Sequence, residues 1–161
     1  VWGRRRDAVA KTVRDLGARF PTLTVDGAEN LEAAVNACDM VTSALPSETP
    51  VLSSAWLRPG QHVDLIGSYR PTMAEIDGGA LRRATVFVDT EAGAWAEAGE
   101  LIQAEAAGQF SRGEVAGTLS DLAGGRHRGR QSPEEITLFK AAGSAAADYF
   151  AAALALGRTA S

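Results

Sequence analysis

Apolar residues in this chain follow two rhythms. One is a set of short unbroken runs: "VW" at residues 1–2, "LTV" at 23–25, "MVTSAL" at 40–45, "HVDLIG" at 62–67 and "TVFVD" at 85–89. Runs of this length, bounded by turn residues, predict buried strands. The other rhythm is helical. "RRDAVAKTVRDLG" (5–17) places Ala8, Val9, Thr12, Val13 and Leu16 on one face and stops at Gly17. "GAENLEAAVNACD" (27–39) carries the stripe Leu31, Ala34, Val35 and Cys38, and "DGGALRRA" (77–84) predicts a short helix. "SETPVLSSAWLRPG" (47–60) reads as a loop, with turn signals at Pro50 and Pro59-Gly60. The alternation β-α-β-α-β-loop-β-α-β predicts an α/β fold: a doubly wound parallel sheet, covered on both faces.

Beyond Asp89 the pattern turns helical. Residues 91–108 and 111–125 each predict a helix, followed by a basic glycine-rich loop, "GRHRGRQ". "SPEEITLFKAAGSAAADYFAAALALG" (132–157) then predicts one long helix. Ser132 caps it, Pro133 takes the first helical position, and Glu135 completes a capping box. Ile136, Phe139, Gly143, Ala146, Phe150 and Ala153 recur at spacings of three or four as a narrow, mostly small stripe. Such a stripe accepts either another helix or a ligand near Gly143. The expected division is residues 1–125 as a partial dinucleotide-binding domain and 126–161 as a loop and long helix.

Composition narrows the function. With 16 basic and 20 acidic side chains, the net charge of −4 argues against a nucleic-acid partner, which would need a basic face. No apolar run is long enough for a membrane span. The one cysteine, Cys38, is expected as a small buried hydrophobe, and a lone cysteine without a recognisable signal segment suits the cytoplasm. "VWGRRRD" begins as if already inside a strand, so an earlier segment is expected to precede it.

In open α/β sheets, ligands bind beyond the carboxyl ends of the strands, near the switch in strand order. Four places qualify: Gly3-Arg4-Arg5-Arg6, Ala44-Leu45-Pro46-Ser47, Gly67-Ser68-Tyr69 and Asp89-Thr90. Together they are expected to ring one crevice. At the end of the strand after the first glycine-rich turn, an acid takes the ribose hydroxyls of NAD, whereas an arginine can grip the 2′-phosphate of NADP. Here Arg4 and Arg5 stand at that end and the first acid is Asp7, which favours NADP(H), with NAD(H) possible. The alternative is that Arg4 to Arg6 merely open a helix, a poor place for cations. No GxGxxG occurs in the chain. That absence fits a chain that starts after the first β-α unit, leaving a slot between "VW" and "MVTSAL". No metal-ligand spacing is present, and His62, at a strand start, reads as structural.

Taken in order, "VWGR", "CDMVTSALPSETPVL", "WLRPGQHVDLIGSYRPTMAEID", "VFVDTEAGAWAEAGEL" and "GRQSPEEITLFKAAGSAAAD" make the chain resemble the C-terminal half of the ornithine cyclodeaminase/μ-crystallin family. The resemblance implies a Rossmann-like dinucleotide domain, lacking its first strand here, and a long last helix returning to a substrate and dimer domain. It also implies a homodimer acting on a small amino or imino acid, with no nucleic-acid or membrane partner. Gly3, Arg4 and Arg5 would contact the adenosine end of the cofactor. Ala44, Leu45 and Pro46 would follow, Ile66 and Ser68 would lie near the nicotinamide, and Ala141, Ala142 and Gly143 would approach it. The family's substrate-binding arginine and lysine would lie in a preceding segment, so the main catalytic residues are not assigned here.

Ornithine cyclodeaminases carry an aspartate where Tyr69 stands. A phenol, with a pKa near ~10, is a poor general base at neutral pH. The resemblance therefore implies a ketimine (Δ1-pyrroline-2-carboxylate) reductase or related amino-acid dehydrogenase, with Tyr69 a candidate substrate-side contact. A strict ornithine cyclodeaminase and a non-enzymatic μ-crystallin-like binding protein are the alternatives.

Overall fold

The computed structural model describes residues 1–157. They fall into two units, Val1–Ala37 and a second that begins at Cys38. In the first unit the predicted helix forms as α1 (Arg6–Arg19) and the next as the shorter α2 (Leu31–Ala37). Val1 lies along residues 26–28: its amino group donates to Asp26 O (2.7 Å), and Ala28 N donates to Val1 O (2.8 Å). These two bonds do not extend to a ladder, so neither "VW" nor "LTV" becomes a strand. Cys38 directly follows the end of α2 and is exposed rather than buried.

The second unit holds one all-parallel sheet. Its strands are β1 (Met40–Ser43), β2 (His62–Leu65), β3 (Ala84–Val88), β4 (Val115–Thr118) and β5 (Ile136–Lys140), in the order β1-β2-β5-β3-β4. Three of these are the strands expected from the apolar runs. Val63, Leu65, Val86, Val88 and Leu138 are fully buried and form the centre of the core. α3 (Gly79–Arg83) follows the predicted short helix.

Three expectations are corrected. Residues 136–140 are not helix but β5, seated between β2 and β3, with Lys140 in register with both Leu65 and Val88. Ile136 and Thr137 are β-branched, which suits a strand. Gly143 then takes φ +92°, a backbone that no right-handed helix can pass through. A shorter helix, α7 (Ala145–Ala155), starts afresh with Ser144 accepting from Ala147 N. Residues 136–140 thus supply a central strand rather than the start of a long helix. Glu135 still accepts from Gln131 N and Ser132 N, but in a turn that leads into β5.

The second correction concerns 91–108, which is two helices, α4 (Glu91–Glu97) and α5 (Gly99–Ala106). The break at Ala98 brings Gly99 so close to the 70–73 turn that a Cβ there would sit 1.9 Å from Met73 O. The third concerns 111–125, which contains β4 and then α6 (Leu119–Ala123). A complete capping box here joins Thr118 and Asp121. Among the described residues no helix is long and apolar enough to cross a membrane.

Candidate functional site

Because all five strands run parallel, the order β1-β2-β5-β3 sets four carboxyl ends side by side. The segments leaving them are Ala44-Leu45-Pro46, Ile66-Gly67-Ser68-Tyr69, Ala141-Ala142-Gly143 and Asp89-Thr90. One edge thus collects eight of the residues singled out from sequence for a cofactor. Gly3, Arg4 and Arg5 belong to the first unit. There, Gly3 and Arg4 line a cleft of about 720 Å³ with Arg6, Val9, Val13 and Gly27 among its other walls.

A buried carboxylate organises the first two ends. Glu75 Oε1 accepts from Ser43 Oγ (2.5 Å) and Leu45 N (2.8 Å), and Oε2 accepts from Gly67 N (2.7 Å) and Ser68 N (3.1 Å). All four neighbours are donors, so this one side chain stitches the β1 and β2 exits together. Glu100, at the start of α5, accepts from Glu75 N (2.8 Å) and from Ser68 Oγ (2.5 Å). Lys140, the last residue of β5, supplies the compensating charge. Its Nζ lies 3.6 Å from Glu75 and 3.9 Å from Glu100. It donates to Ser68 O (2.9 Å) and Leu65 O (3.4 Å). Lys140 and Glu75 are both 0% exposed. Charges so deeply buried persist only when paired and hydrogen-bonded.

The third and fourth ends are joined by Asp89. Its Oδ2 accepts from Ala142 N (3.0 Å) and Gly143 N (2.6 Å), while Oδ1 accepts from Thr90 N (2.7 Å). Thr90 in turn caps α4 by accepting from Gly93 N. Small residues line this exit, and Gly143 is open to solvent.

The predicted residues therefore divide. Ile66 and Tyr69 are each 49% exposed at the β2 exit, with the Arg70 guanidinium over the Tyr69 ring. Ser68 is 0% exposed, and its N–H, hydroxyl and carbonyl are all bound internally. His62 sits at the opposite, amino end of β2, with Nδ1 2.8 Å from Thr137 Oγ1. Burial holds its pKa below the ordinary histidine value. Sequence reasoning missed Glu75, Glu100 and Lys140. For Lys140 a signal existed: it shares strand parity with Ile136 and Leu138.

The parallel sheet with its loop-lined carboxyl edge defines a Rossmann-like α/β protein. The family model for the ornithine cyclodeaminase/mu-crystallin family matches residues 1–160, and the chain belongs to that family. A Δ1-pyrroline-2-carboxylate reductase from Paracoccus denitrificans is 38% identical over 152 residues, covering 94% of this chain and 48% of that protein. An archaeal alanine dehydrogenase dimer with bound NAD superposes with a TM-score of 0.81 at 28% identity, over 99% of this chain and 50% of that one. The Thermococcus litoralis Δ1-pyrroline-2-carboxylate reductase, in complex with NADH and L-proline, shares the fold: TM-score 0.87, 24% identity, 100% of this chain and 51% of that one. The chain spans about half the length of the curated relatives it matches.

Proposed function

We propose that this chain is the cofactor-binding part of an NAD(P)H-dependent imine reductase. The substrate class is a cyclic ketimine such as Δ1-pyrroline-2-carboxylate, or an imino acid formed from a 2-oxo acid and ammonia. The observation that carries this reading is the β2 exit, where a half-exposed tyrosine stands on a rigid buried framework. A phenol can donate a hydrogen bond to a substrate, but it is a poor base for activating water at neutral pH. Reduction needs no activated water, whereas loss of ammonia from ornithine through imine hydrolysis does. The relatives named as Δ1-pyrroline-2-carboxylate reductases support the same choice.

The residues fit a nicotinamide cofactor. Ala44, Ala141, Ala142 and Gly143 leave the carboxyl edge free of bulk, and Asp89 fixes the Ala142–Gly143 backbone there. Ile66 presents an apolar side chain at the same edge. Leu45 and Pro46 would line the cofactor at this edge, and Gly3, Arg4 and Arg5, in the first unit, are proposed as contacts of the adenosine end. A bound reduced nicotinamide supplies the hydride. This chain's part is to hold the cofactor, exclude water with its apolar lip and orient the substrate through the Tyr69 hydroxyl. The enzyme acts in the cytoplasm as a homodimer, a state supported by the dimeric alanine dehydrogenase relative.

The test is spectrophotometric. Full-length protein is expected to oxidise NADPH or NADH with Δ1-pyrroline-2-carboxylate, and to release little ammonia from ornithine. Proline formation from ornithine without reduction of added imine would reverse the assignment. Cofactor choice is tested separately. The exposed arginines at 4 and 5, with no acid before Asp7, favour NADP(H). Arg4→Asp is expected to weaken NADPH binding about tenfold or more, the scale of a lost charge-assisted phosphate contact, and to leave NADH within about threefold. Equal losses for both cofactors rule out a 2′-phosphate role.

A further inference from the structure

Ser68 has no polar group left to offer the crevice. Its amide donates to Glu75, its hydroxyl donates to Glu100, and its carbonyl accepts from Lys140, at 3.1, 2.5 and 2.9 Å. The three side chains come from distant elements: the loop before α3, the start of α5 and the end of β5. All are buried, and each grips a different atom of one residue. On either side of that residue, Ile66 and Tyr69 stand half exposed. A merely stabilising charge cluster would not need to converge on a single turn at the carboxyl edge.

We propose that Glu75, Glu100 and Lys140 are positioning residues. They clamp the Gly67–Ser68 turn and thereby fix Ile66 and Tyr69 where the nicotinamide and the imine meet. The inference rests on the reading of the crevice as a hydride-transfer site. At Ser68 the clamp acts on geometry at the reacting end, so loosening it there governs turnover more than cofactor affinity, whereas Glu75 also holds Leu45 N at the β1 exit. A misplacement of order 1 Å near reacting groups lowers rates by about a hundredfold.

The experiment uses full-length protein and the mild variant Ser68→Ala, which removes one hydroxyl and keeps the Glu75 and Lys140 bonds to the backbone. Two readouts are taken. Hydrogen exchange at the Gly67 and Ser68 amides is expected to quicken about tenfold, the change produced by ~1.4 kcal/mol of lost protection. kcat for imine reduction is expected to fall about tenfold with dinucleotide Kd within about threefold, a modest fraction of the full misplacement effect. Glu100→Ala is expected to behave likewise or worse. Glu100→Gln should recover most of kcat, because its carbonyl can accept from Glu75 N while its amide donates to the Ser68 hydroxyl, and Glu75 still balances Lys140. Lower melting temperatures with unchanged amide exchange and unchanged kcat would overturn the clamp. If the wild type neither binds a dinucleotide nor reduces an imine, the functional reading falls, and the exchange comparison alone decides whether the turn is clamped.

Discussion

Lys140→Met is expected to lower the stability of the second unit by about 3–5 kcal/mol, the usual cost of removing one partner from a buried ion pair. Methionine fills nearly the same space, so the loss would come from charge rather than from a cavity. Glu75 and Glu100, both buried, would then face each other with no ammonium between them. The carbonyls of Ser68 and Leu65 would lose their donor as well. Against a typical net stability of about 5–15 kcal/mol, this is enough to leave the sheet marginal. Urea denaturation of wild type and variant checks it, and a loss below about 1 kcal/mol would mean that the carboxylates do not depend on the lysine. Adding Glu100→Gln to Lys140→Met should restore part of the loss, because one of the two uncompensated charges is removed. A coupling of about 0.5–3 kcal/mol is the expected scale for groups in one network.

Whether such a residue can be read from sequence depends on where its partners come from. α1 was legible because Val9, Val13 and Leu16 repeat at the helical period, although the helix runs past the expected stop at Gly17 to Arg19. β2 and β3 were legible because each is a short apolar run with a turn after it. β5 was not, because "ITLFK" fits a strand and one face of a helix equally well, and "SPEE" before it imitates a helix start. Two facts decided it: the gap between β2 and β3 that β5 fills, which is non-local, and the positive φ of Gly143. Misreading β5 as helix also hid Lys140, since a lysine on a helix is normally solvated. Glu75 and Glu100 were hidden for the same reason, as acids in "TMAEID" and "EAGEL" give no local sign that they are buried. The carboxyl edge itself was legible, because its position follows from parallel strands alone. Eight of the eleven residues proposed for the cofactor gather there, with Ser68 among them fully buried.

Gly67→Ala is expected to damage both fold and site. Gly67 has an ordinary backbone angle, so its need for glycine is a matter of space. A Cβ there would lie 2.1 Å from Leu45 N, 2.5 Å from Ala44 C and 2.6 Å from Glu75 Oε1. The first two are backbone atoms of the neighbouring strand exit and cannot swing aside. Relief requires the 44–46 segment to move away, which breaks the 2.8 Å bond from Leu45 N to Glu75. Overpacking of this kind costs about 1–3 kcal/mol, and leaving a buried acceptor and donor unmatched costs about 1–3 kcal/mol more. The displaced residues include Ala44, Leu45 and Pro46, so dinucleotide affinity should fall together with stability, unlike the turnover-specific effect of Ser68→Ala. Gly17→Ala in α1 is the matched control. Nothing lies within 4 Å of a Cβ there, and alanine in a helix is favoured over glycine by about 1 kcal/mol. Thermal melts and dinucleotide titrations of the two variants should therefore move in opposite directions for stability, with affinity lost only in Gly67→Ala. Retention of wild-type affinity by Gly67→Ala would show that the β1 exit can shift without cost to the cofactor, and that Ala44 to Pro46 do not bind it.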